Sequence, residues 1–323
     1  MRILVVIPLN ENEKERLQAK MPEAEYIYIS SEEVTCQLVK SADIIIGNVP
    51  SEYVKESNKL KWLQLNSAGT DGYCEPGVIP EGAYLTNATG AYGLAISEHM
   101  LGMLLEIKKK LNLYYINQKK HLWKDEGNVT SIEGSTTLVV GLGNIGGDFA
   151  RKMKALGSYT IGIKRTKGQK PEYIDELYKM EALDELLPKA DIVALSLPGT
   201  KDTYHLFNKD KFNLMRKDAI ILNVGRGSCI CTEDLCYALE NRIISGAGLD
   251  VTEPEPLPSD HRLWDAPGVV ITPHISGFFH LPETLRRIAN ISIENLEHFK
   301  KGDQLKNIID FKTGYRTNRE LKK

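Results

Sequence analysis

A glycine-rich hexapeptide in the middle of the chain, Gly141-Leu142-Gly143-Asn144-Ile145-Gly146, sets the strongest limit on its architecture. It directly follows the apolar strand signal Leu138-Val139-Val140 and opens a helix signal that closes at Gly157. Glycine permits a tight turn and lets the backbone approach a pyrophosphate, while the helix N-terminus offers N–H groups and partial positive charge. This setting predicts a dinucleotide-binding loop. A glycine-rich turn without a ligand is the alternative interpretation.

Strand and helix signals alternate on both sides of a long helical stretch, Leu94 to Gln118. Such alternation predicts parallel sheets covered on both faces, so we expect an α/β fold of two Rossmann/flavodoxin-like doubly wound domains. A second long helix after Pro282 would return the chain to the first domain. The cofactor domain, residues 98–284, is therefore predicted to be inserted into a discontinuous substrate domain, residues 1–97 and 285–323. The strands predicted in the inserted domain are Thr137–Val140, Thr160–Ile163, Ile192–Leu197, Ala219–Val224, Ala247–Val251 and Val269–Thr272.

Composition excludes several classes of protein. The 323 residues are 42% hydrophobic and 26% charged, which is ordinary for a globular chain of about two domains. A net charge of −2 shows no excess of basic residues of the kind that binds nucleic acid. No apolar run approaches the roughly 18–20 residues that span a membrane. The five cysteines are an odd number in a large chain, which favours the reducing cytoplasm. Cys229 and Cys231 lack a second pair of ligands, so no metal site is predicted.

The strand after the glycine loop predicts which dinucleotide is preferred. An NAD site usually has a carboxylate at the end of this strand to bind the ribose 2′-hydroxyl, but here the strand ends in Lys164-Arg165-Thr166. These donors would hold a 2′-phosphate. We therefore expect NADP in preference to NAD. The alternative is a solvated basic turn that also stacks on adenine.

Three ionisable residues follow predicted strands of the second domain, namely Arg226, Glu255 and His274. Ligands of open α/β sheets bind outside the carboxyl ends of the strands, so these side chains are candidates for one site. Histidine suits proton transfer to a carbonyl oxygen near neutral pH, and a carboxylate beside it favours and orients the imidazolium. An arginine can hold a substrate carboxylate and polarise the carbonyl.

Each of these residues also has a structural interpretation. His274 follows Thr-Pro and would serve as a structural histidine, Glu255 would be a solvated residue in a proline-rich loop, and Arg226 would contact a phosphate. Other histidines fit the acid–base role less well, because His99 lies inside a long helix signal; His280 is a weaker rival.

Together these motifs resemble the D-isomer-specific 2-hydroxyacid dehydrogenase family over nearly the whole chain. The order and spacing of the motifs carry the resemblance, although no single one does. The matching segments are Asn66 to Asp71, Gly141 to Gly146, Asn223 to Gly227, Gly248 to Val251 with Glu253 to Pro258, and Thr272 to Gly277. The resemblance implies the inserted two-domain architecture, a cleft between the domains, a small-molecule substrate and usually a homodimer.

The resemblance also assigns roles to residues. It implies that His274 is the acid–base group, that Glu255 rather than Glu253 is its carboxylate partner, and that Arg226 orients the substrate. Backbone N–H groups around Ser67, Ala68 and Gly69 resemble the cradle of the substrate carboxylate, and Asp250 resembles the residue that contacts the nicotinamide carboxamide. The other cofactor contacts that the resemblance implies are Leu197, Pro198, Thr203, Val224, Gly225 and Gly277.

The sequence thus predicts an oxidoreductase that passes hydride between NADP(H) and a small 2-oxo or D-2-hydroxy acid. Glyoxylate, hydroxypyruvate and bulkier 2-oxo acids are the substrates that the resemblance implies. A second hypothesis is a dinucleotide-sensing protein, since corepressors related to the family keep the same three residues. Another reaction on the same fold, such as formate or phosphite oxidation, ranks last.

Overall fold

The computed structural model describes residues 1–70, 72–165, 168–311 and 314–316. No helix in these ranges combines the length and the apolar character needed to cross a membrane. The strands are β1 Arg2–Val5, β2 Glu25–Tyr28, β3 Ile44–Ile46, β4 Trp62–Gln64, β5 Tyr84–Thr86, β6 Thr136–Val140, β7 Tyr159–Ile163, β8 Glu176–Tyr178, β9 Ile192–Leu195, β10 Ile220–Asn223, β11 Gly246–Leu249, β12 Val269–Ile271, β13 Ile309–Asp310 and β14 Tyr315–Arg316. The helices are α1 Glu11–Lys20, α2 Cys36–Ser41, α3 Ser51–Lys55, α4 Gly93–Lys108, α5 Leu111–Lys119, α6 Asn144–Ala155, α7 Leu183–Leu186, α8 Lys209–Leu214, α9 Thr232–Glu240 and α10 Pro282–Lys301.

The chain folds into two α/β units, and the second is inserted into the first. Unit 1 comprises Met1–Tyr92 and Phe279–Lys323, and unit 2 comprises Gly93–Phe278. The predicted boundaries, 97/98 and 284/285, fall inside α4 and α10. The units divide just before each helix, because α4 packs on α6 and β11 in unit 2 while α10 packs on α1 in unit 1.

Unit 1 is built on a five-stranded parallel sheet with the order β2-β1-β3-β4-β5. This is the flavodoxin-like doubly wound order, and it produces a sheet covered by helices. The central strand β3, Ile44–Ile46, is a continuous apolar run whose three residues are fully buried. The returning segment also joins this unit, since Ile308 bridges to Thr86.

Unit 2 is built on a seven-stranded parallel sheet with the order β12-β11-β10-β9-β6-β7-β8. When β6 to β12 are numbered 1 to 7 within the unit, their spatial order is the Rossmann order 3-2-1-4-5-6 with a seventh strand added at the end. The strands are all parallel, but the order in which the chain adds them changes direction between β6 and β9. On one face of this sheet the core contains Leu138, Val193 and Ile221, which are register partners on β6, β9 and β10. The glycine loop follows β6, so it lies at the switch point where ligands of this fold bind.

Two details of unit 2 differ from the sequence prediction. Strand β8, Glu176–Tyr178, was not predicted, because three half-exposed residues of mixed polarity at a sheet edge give no apolar signal. The helix predicted from Leu94 to Gln118 is two helices, since α4 ends at Lys108 and Lys110 takes a left-handed conformation with φ 56° before α5 begins. The apolar spacing continues across the break, which is why the sequence suggested one helix.

Candidate active site

The turn between β6 and α6 is shaped by glycines at its two ends. Gly141 has φ 98°, and a Cβ there would lie 2.7 Å from the carbonyl oxygen of Ser196. A Cβ on Gly146 would lie 2.3 Å from the carbonyl oxygen of Gly141, which already accepts a 2.6 Å hydrogen bond from Ser196 Oγ. Protein packing alone therefore requires glycine at both positions.

The middle glycine is different, because packing does not require it. Gly143 has an ordinary negative φ of −92°, and a Cβ there would meet nothing within 4 Å. No side chain caps α6, and within the described residues the backbone N–H groups of Asn144, Ile145 and Gly146 bind no acceptor. An open cradle of unpaired donors at a helix N-terminus fits the pyrophosphate of a dinucleotide.

Alanine at Gly143 is expected to separate ligand binding from folding. The added methyl group would enter the open cradle, so the Kd for the dinucleotide should rise at least about tenfold, or about 1.4 kcal/mol. The free energy of unfolding should fall by no more than about 1 kcal/mol, the usual scale of a cap substitution. Isothermal titration calorimetry and chemical denaturation measure the two quantities.

Two matched glycine variants complete this experiment. Gly146→Ala should destabilise the fold by about 1–3 kcal/mol, because its methyl group overlaps the carbonyl oxygen of Gly141. Gly102→Ala adds a methyl group to open space on α4. It should neither raise the Kd for the dinucleotide nor lower the free energy of unfolding. An unchanged Kd in Gly143→Ala would show that no ligand enters the cradle.

The segments after β9 and β10 lie beside the glycine loop. A Cβ on Gly141 would touch the Leu197 side chain at 3.1 Å, and a Cβ on Gly225 would lie 2.3 Å from the carbonyl oxygen of Leu197. Val224, buried just before Gly225, donates to Leu195 O at 3.2 Å. Three of the predicted cofactor contacts, Gly141, Leu197 and Gly225, are thus brought together at the carboxyl edge of the sheet.

The Thr203 side chain stabilises the turn in which it lies. The residue is buried, and its hydroxyl group donates to Pro198 O at 2.6 Å and accepts the Thr200 N–H at 2.9 Å. These bonds fix the turn that carries Pro198. The predicted cofactor contact of Thr203 stays a prediction.

The basic turn follows β7, as the sequence predicts. The Lys164 N–H donates to Tyr178 O at 3.0 Å, which holds the start of the turn against β8. Lys164 is half-buried and Arg165 is exposed. Thr166, the third predicted donor, lies outside the described residues, as does Asp71 of the Asn66 motif.

Arg226, Glu255 and His274 lie in the loops that follow β10, β11 and β12, at the carboxyl edge of the sheet. Their strands are adjacent, because Asn223 of β10 pairs with Leu249 of β11, and Leu249 pairs with Ile271 of β12. The loops that follow also touch, since a Cβ on Gly227 would lie 1.8 Å from Thr252 O.

The imidazole of His274 is paired with the carboxylate of Glu255. The distance from His274 Nδ1 to Glu255 Oε1 is 2.5 Å, and both side chains are exposed, at 45% and 41%. An ionised carboxylate only accepts hydrogen bonds, so the proton of this contact belongs to Nδ1. Nε2 is the ring nitrogen that takes no part in this contact. His274 has φ 53°, a left-handed conformation that is uncommon for a residue with a side chain.

A buried carboxylate holds the loop that carries His274. Asp250, 1% exposed, accepts from Thr272 Oγ1 at 2.6 Å, from the N–H groups of Ile275 at 3.0 Å and Ser276 at 3.1 Å, and from Ser276 Oγ. The hydroxyl proton of Thr272 is used in this way, so Thr272 accepts from His99 Nε2 at 2.9 Å. These four donors occupy the four lone-pair sites of the Asp250 carboxylate. For Asp250 to contact a nicotinamide carboxamide, the carboxamide would have to replace one of these donors. Gly277 follows this loop directly.

A second imidazole–carboxylate pair, which was not predicted from the sequence, lies beside this site. His205 Nε2 lies 2.5 Å from Glu253 Oε2, in the same proline-rich segment as Glu255. His205 lies between two predicted strands, and its neighbours Tyr204 and Leu206 give no local pattern that marks a functional histidine. The only available hint was Glu253 itself, a second carboxylate two residues from Glu255.

The predicted substrate cradle lies in unit 1, in the loop after β4. Asn48 and Asn66 bind each other reciprocally, with 2.5 Å from Asn48 N to Asn66 Oδ1 and 3.0 Å from Asn66 N to Asn48 Oδ1. Ser67 Oγ donates to Gly69 O at 2.7 Å. In the part of the chain that the structure describes, the N–H groups of Ala68 and Gly69 bind no acceptor. The loop is thus held in place while its donors stay available.

A buried tyrosine also braces this loop. Tyr92 OH donates to Asn66 O, and burial raises the pKa of Tyr92, so its hydroxyl group remains a donor throughout the neutral range. Asn87 Nδ2 donates to Ala68 O at 2.7 Å from another side. Carbonyl groups of the loop are therefore occupied by protein donors, in contrast to the N–H groups of Ala68 and Gly69.

Comparisons with known proteins show the family to which the chain belongs. Residues 101–276 match the family model described as "D-isomer specific 2-hydroxyacid dehydrogenase, NAD binding domain". A glyoxylate reductase from Thermofilum pendens is 30% identical over 265 residues, which cover 80% of this chain and 78% of that protein.

Two solved structures extend the similarity to the whole chain. A D-isomer specific 2-hydroxyacid dehydrogenase family protein from Aeromonas salmonicida has a TM-score of 0.85 and 32% identity, covering 96% of this chain and 99% of that one. An NADPH-dependent glyoxylate/hydroxypyruvate reductase from Sinorhizobium meliloti, solved with NADP and sulfate, has a TM-score of 0.81 and 26% identity, covering 97% and 99%. Because the family model matches more than half of the chain, the protein belongs to the D-isomer-specific 2-hydroxyacid dehydrogenases, which are oxidoreductases that act on CH–OH groups with a nicotinamide dinucleotide.

Proposed function

We propose that this protein is an NADPH-dependent reductase of small 2-oxo acids, of the size of glyoxylate or hydroxypyruvate, and that its product is the D isomer wherever the 2-hydroxy acid is chiral. The observation that carries the proposal is the 2.5 Å contact between His274 and Glu255, at the sheet edge that also bears Arg226. The relatives that are named glyoxylate reductases support the substrate class.

Each of the three residues has a distinct chemical task in this proposal. When bound, the nicotinamide supplies the hydride for the carbonyl carbon. His274 supplies the proton for the carbonyl oxygen from Nε2, because Nδ1 is held by Glu255. The carboxylate stabilises the imidazolium before transfer and fixes the orientation of the ring. Arg226 binds the substrate carboxylate and polarises the carbonyl group.

Unit 2 would bind the dinucleotide and unit 1 the substrate carboxylate. The pyrophosphate would bind to the N–H groups of Asn144, Ile145 and Gly146, with Gly141, Leu197, Pro198 and Gly225 beside it. In unit 1 the N–H groups of Ala68 and Gly69 would bind the carboxylate of the 2-oxo acid, while Ser67 stabilises their loop. None of the five cysteines, all of which the structure describes, is in a disulfide, and the location that we propose is the reducing cytoplasm.

A substrate panel tests the proposed function. Glyoxylate, hydroxypyruvate, pyruvate and bulkier 2-oxo acids would be assayed for NADPH and NADH oxidation in parallel. We expect turnover with at least one small 2-oxo acid and NADPH, with the D isomer as the product of any chiral reduction. Tight dinucleotide binding without turnover on any substrate would favour the alternative, a dinucleotide-sensing protein.

The basic turn predicts that one substitution will change the preferred cofactor. Lys164→Asp places at the end of β7 a carboxylate that repels a 2′-phosphate and accepts from a 2′-hydroxyl. The ratio of kcat/KM for NADPH to kcat/KM for NADH should fall by about 100-fold, or about 2.7 kcal/mol. Lys189→Asp is the matched control, because Lys189 is exposed before the amino end of β9. A native enzyme that prefers NADH would contradict this assignment.

We also propose that the protein is a homodimer joined through a surface of unit 2. Seven large apolar side chains are exposed between residues 111 and 129, on α5 and the segment after it. They are Leu111, Leu113, Tyr115, Ile116, Leu122, Trp123 and Val129. A concentration of exposed apolar side chains of this kind marks an interaction surface in a folded protein.

Trp123→Glu should convert the dimer into a monomer. Trp123 is fully exposed in the single chain, and a buried tryptophan at an interface commonly contributes at least about 2 kcal/mol to association. Size-exclusion chromatography with light scattering measures the molar mass. Leu156→Glu is the control, since Leu156 is exposed after α6 and outside this surface. A monomeric native protein at micromolar concentration would refute the proposal.

A further inference from the structure

The segment after β11 carries two imidazole–carboxylate pairs rather than one. Glu255 binds His274 Nδ1 at 2.5 Å, and Glu253 binds His205 Nε2 at the same distance. The two glutamates are separated by a single residue, Pro254. Any movement of Glu253 is therefore transmitted over two residues to Glu255, the proposed partner of the acid–base histidine.

His205 is held on several sides. Its N–H donates to Ser228 O at 2.8 Å, which joins it to the segment directly after Arg226. The ring of Tyr204 stacks on the His205 ring, with centroids 4.0 Å apart and planes 16° apart. The backbone of His205 has φ 46°, a left-handed conformation that persists only where surrounding contacts enforce it. These contacts point the imidazole at Glu253.

The backbone of the segment is anchored at Glu253 as well. Thr232 Oγ1 donates to Glu253 O at 2.5 Å, and Thr252 Oγ1 donates to Pro254 O at 2.9 Å. Gly227 lies against Thr252 so closely that a Cβ would overlap the Thr252 carbonyl group. The segments that bear Arg226 and Glu255 are thus packed together. His205 connects the turn after β9 to both, through its backbone N–H to Ser228 and through its side chain to Glu253.

The charged groups that act on the pKa of Cys229 show that Arg226 and Glu253 lie near each other. Burial raises the pKa of the Cys229 thiol, while the Arg226 guanidinium acts to lower it and the Glu253 carboxylate acts to raise it. Arg226 and Glu253 therefore both lie within electrostatic reach of one buried sulfur atom. The hydrogen bond between Glu253 and His205 therefore lies close to the arginine of the proposed site.

We infer that His205 and Glu253 form a positioning pair, which holds Glu255 against His274 and keeps the Arg226 segment in register with it. This inference rests on the proposed function of Arg226, Glu255 and His274. Neither His205 nor Glu253 contacts the reacting atoms in this account. The pair acts only through the loop that it joins, so its loss should reduce the fraction of molecules with the His274–Glu255 contact formed.

The test uses the full-length protein with glyoxylate and NADPH. His205→Ala and Glu253→Gln should each lower kcat by about tenfold, while KM for glyoxylate and Kd for NADPH stay within about twofold. His205→Gln keeps an N–H donor at the end of the side chain, so it should recover kcat to within about threefold of the native value. Glu253→Gln retains the shape of the native side chain but removes the charge that strengthens the hydrogen bond from His205 Nε2, so it stays informative even where His205→Ala folds poorly.

A double-mutant cycle decides whether the pair acts through Glu255. In a Glu255→Gln background, adding His205→Ala should lower kcat by less than about twofold, because the contact that His205 supports is already lost. If the fall in kcat of the double variant instead equalled the product of the falls in the two single variants, the inference would be overturned. Equal falls in kcat and in NADPH affinity would overturn it too, because they would indicate a general loss of structure.

Two controls separate this inference from the proposed function. His298→Ala removes an imidazole paired with Glu294 on α10, at 3.7 Å, and should leave kcat unchanged. His274→Ala tests the proposed function itself. Loss of turnover in His274→Ala together with native kcat in His205→Ala and Glu253→Gln would overturn only the positioning role. Native turnover in His274→Ala would overturn the proposed function first.

Discussion

Replacing His274 with alanine is expected to lower kcat for 2-oxo acid reduction by about 10²–10⁴-fold, the usual contribution of a positioned general acid. The alanine variant has no group to protonate the carbonyl oxygen, and Glu255 loses the imidazole that it holds at 2.5 Å. The Kd for NADPH should stay within about twofold, because the N–H groups of α6 remain in place. Steady-state kinetics and calorimetry give the two values.

His280→Ala is the matched control for this experiment. His280 is exposed and lies six positions after His274, so it is the rival for the acid role. We expect its replacement to leave kcat within about twofold, since general-acid losses begin near 10²-fold. If the large loss appeared in His280→Ala and not in His274→Ala, the assignment of the acid would be wrong.

Arg226→Ala is expected to lower kcat/KM by about 10²–10³-fold, the cost of removing one donor to developing negative charge. The guanidinium presents parallel N–H donors that match a carboxylate, and the Arg226 segment is fixed by Asn223 Nδ2, which donates to Arg226 O at 3.0 Å. Arg226→Lys should recover only a small part of the loss, because an ammonium group is not bidentate. The comparison requires kcat and KM for each variant with glyoxylate.

Arg286→Ala gives the reference for loss of a surface arginine. Arg286 is 65% exposed and pairs with Glu283 on α10, and such pairs contribute at most about 1 kcal/mol to stability. Its replacement should leave kcat/KM unchanged. An Arg226→Ala variant that keeps native kcat/KM would show that the guanidinium serves a structural purpose or a phosphate contact instead.

Much of the fold is predictable because parallel strands leave a strong signal. The buried runs around Leu138, Val193 and Ile221 are apolar on both faces, so the alternation of strands and helices could be read directly. The glycine loop then identified the first strand of the Rossmann unit. The insertion followed from two long helices on either side of that unit, and the structure confirms the inserted architecture.

What escaped prediction depends on contacts between distant residues. The His205–Glu253 pair joins positions 48 residues apart, and neither residue stands in a distinctive local pattern. The reciprocal bonds of Asn48 and Asn66 are equally invisible, because they depend on the adjacency of β3 and β4. The break at Lys110 arises from a single left-handed residue in a sequence of lysines with good helix propensity.

The catalytic account rests on His274, Glu255 and Arg226 meeting the substrate together. The most direct measurement is a crystal structure with NADP and oxamate, an unreactive analogue of a 2-oxo acid. We predict His274 Nε2 within about 2.6–3.2 Å of the oxamate carbonyl oxygen and the Arg226 guanidinium in contact with its oxygen atoms. Oxamate bound away from both side chains, or His274 turned from the nicotinamide, would contradict the account.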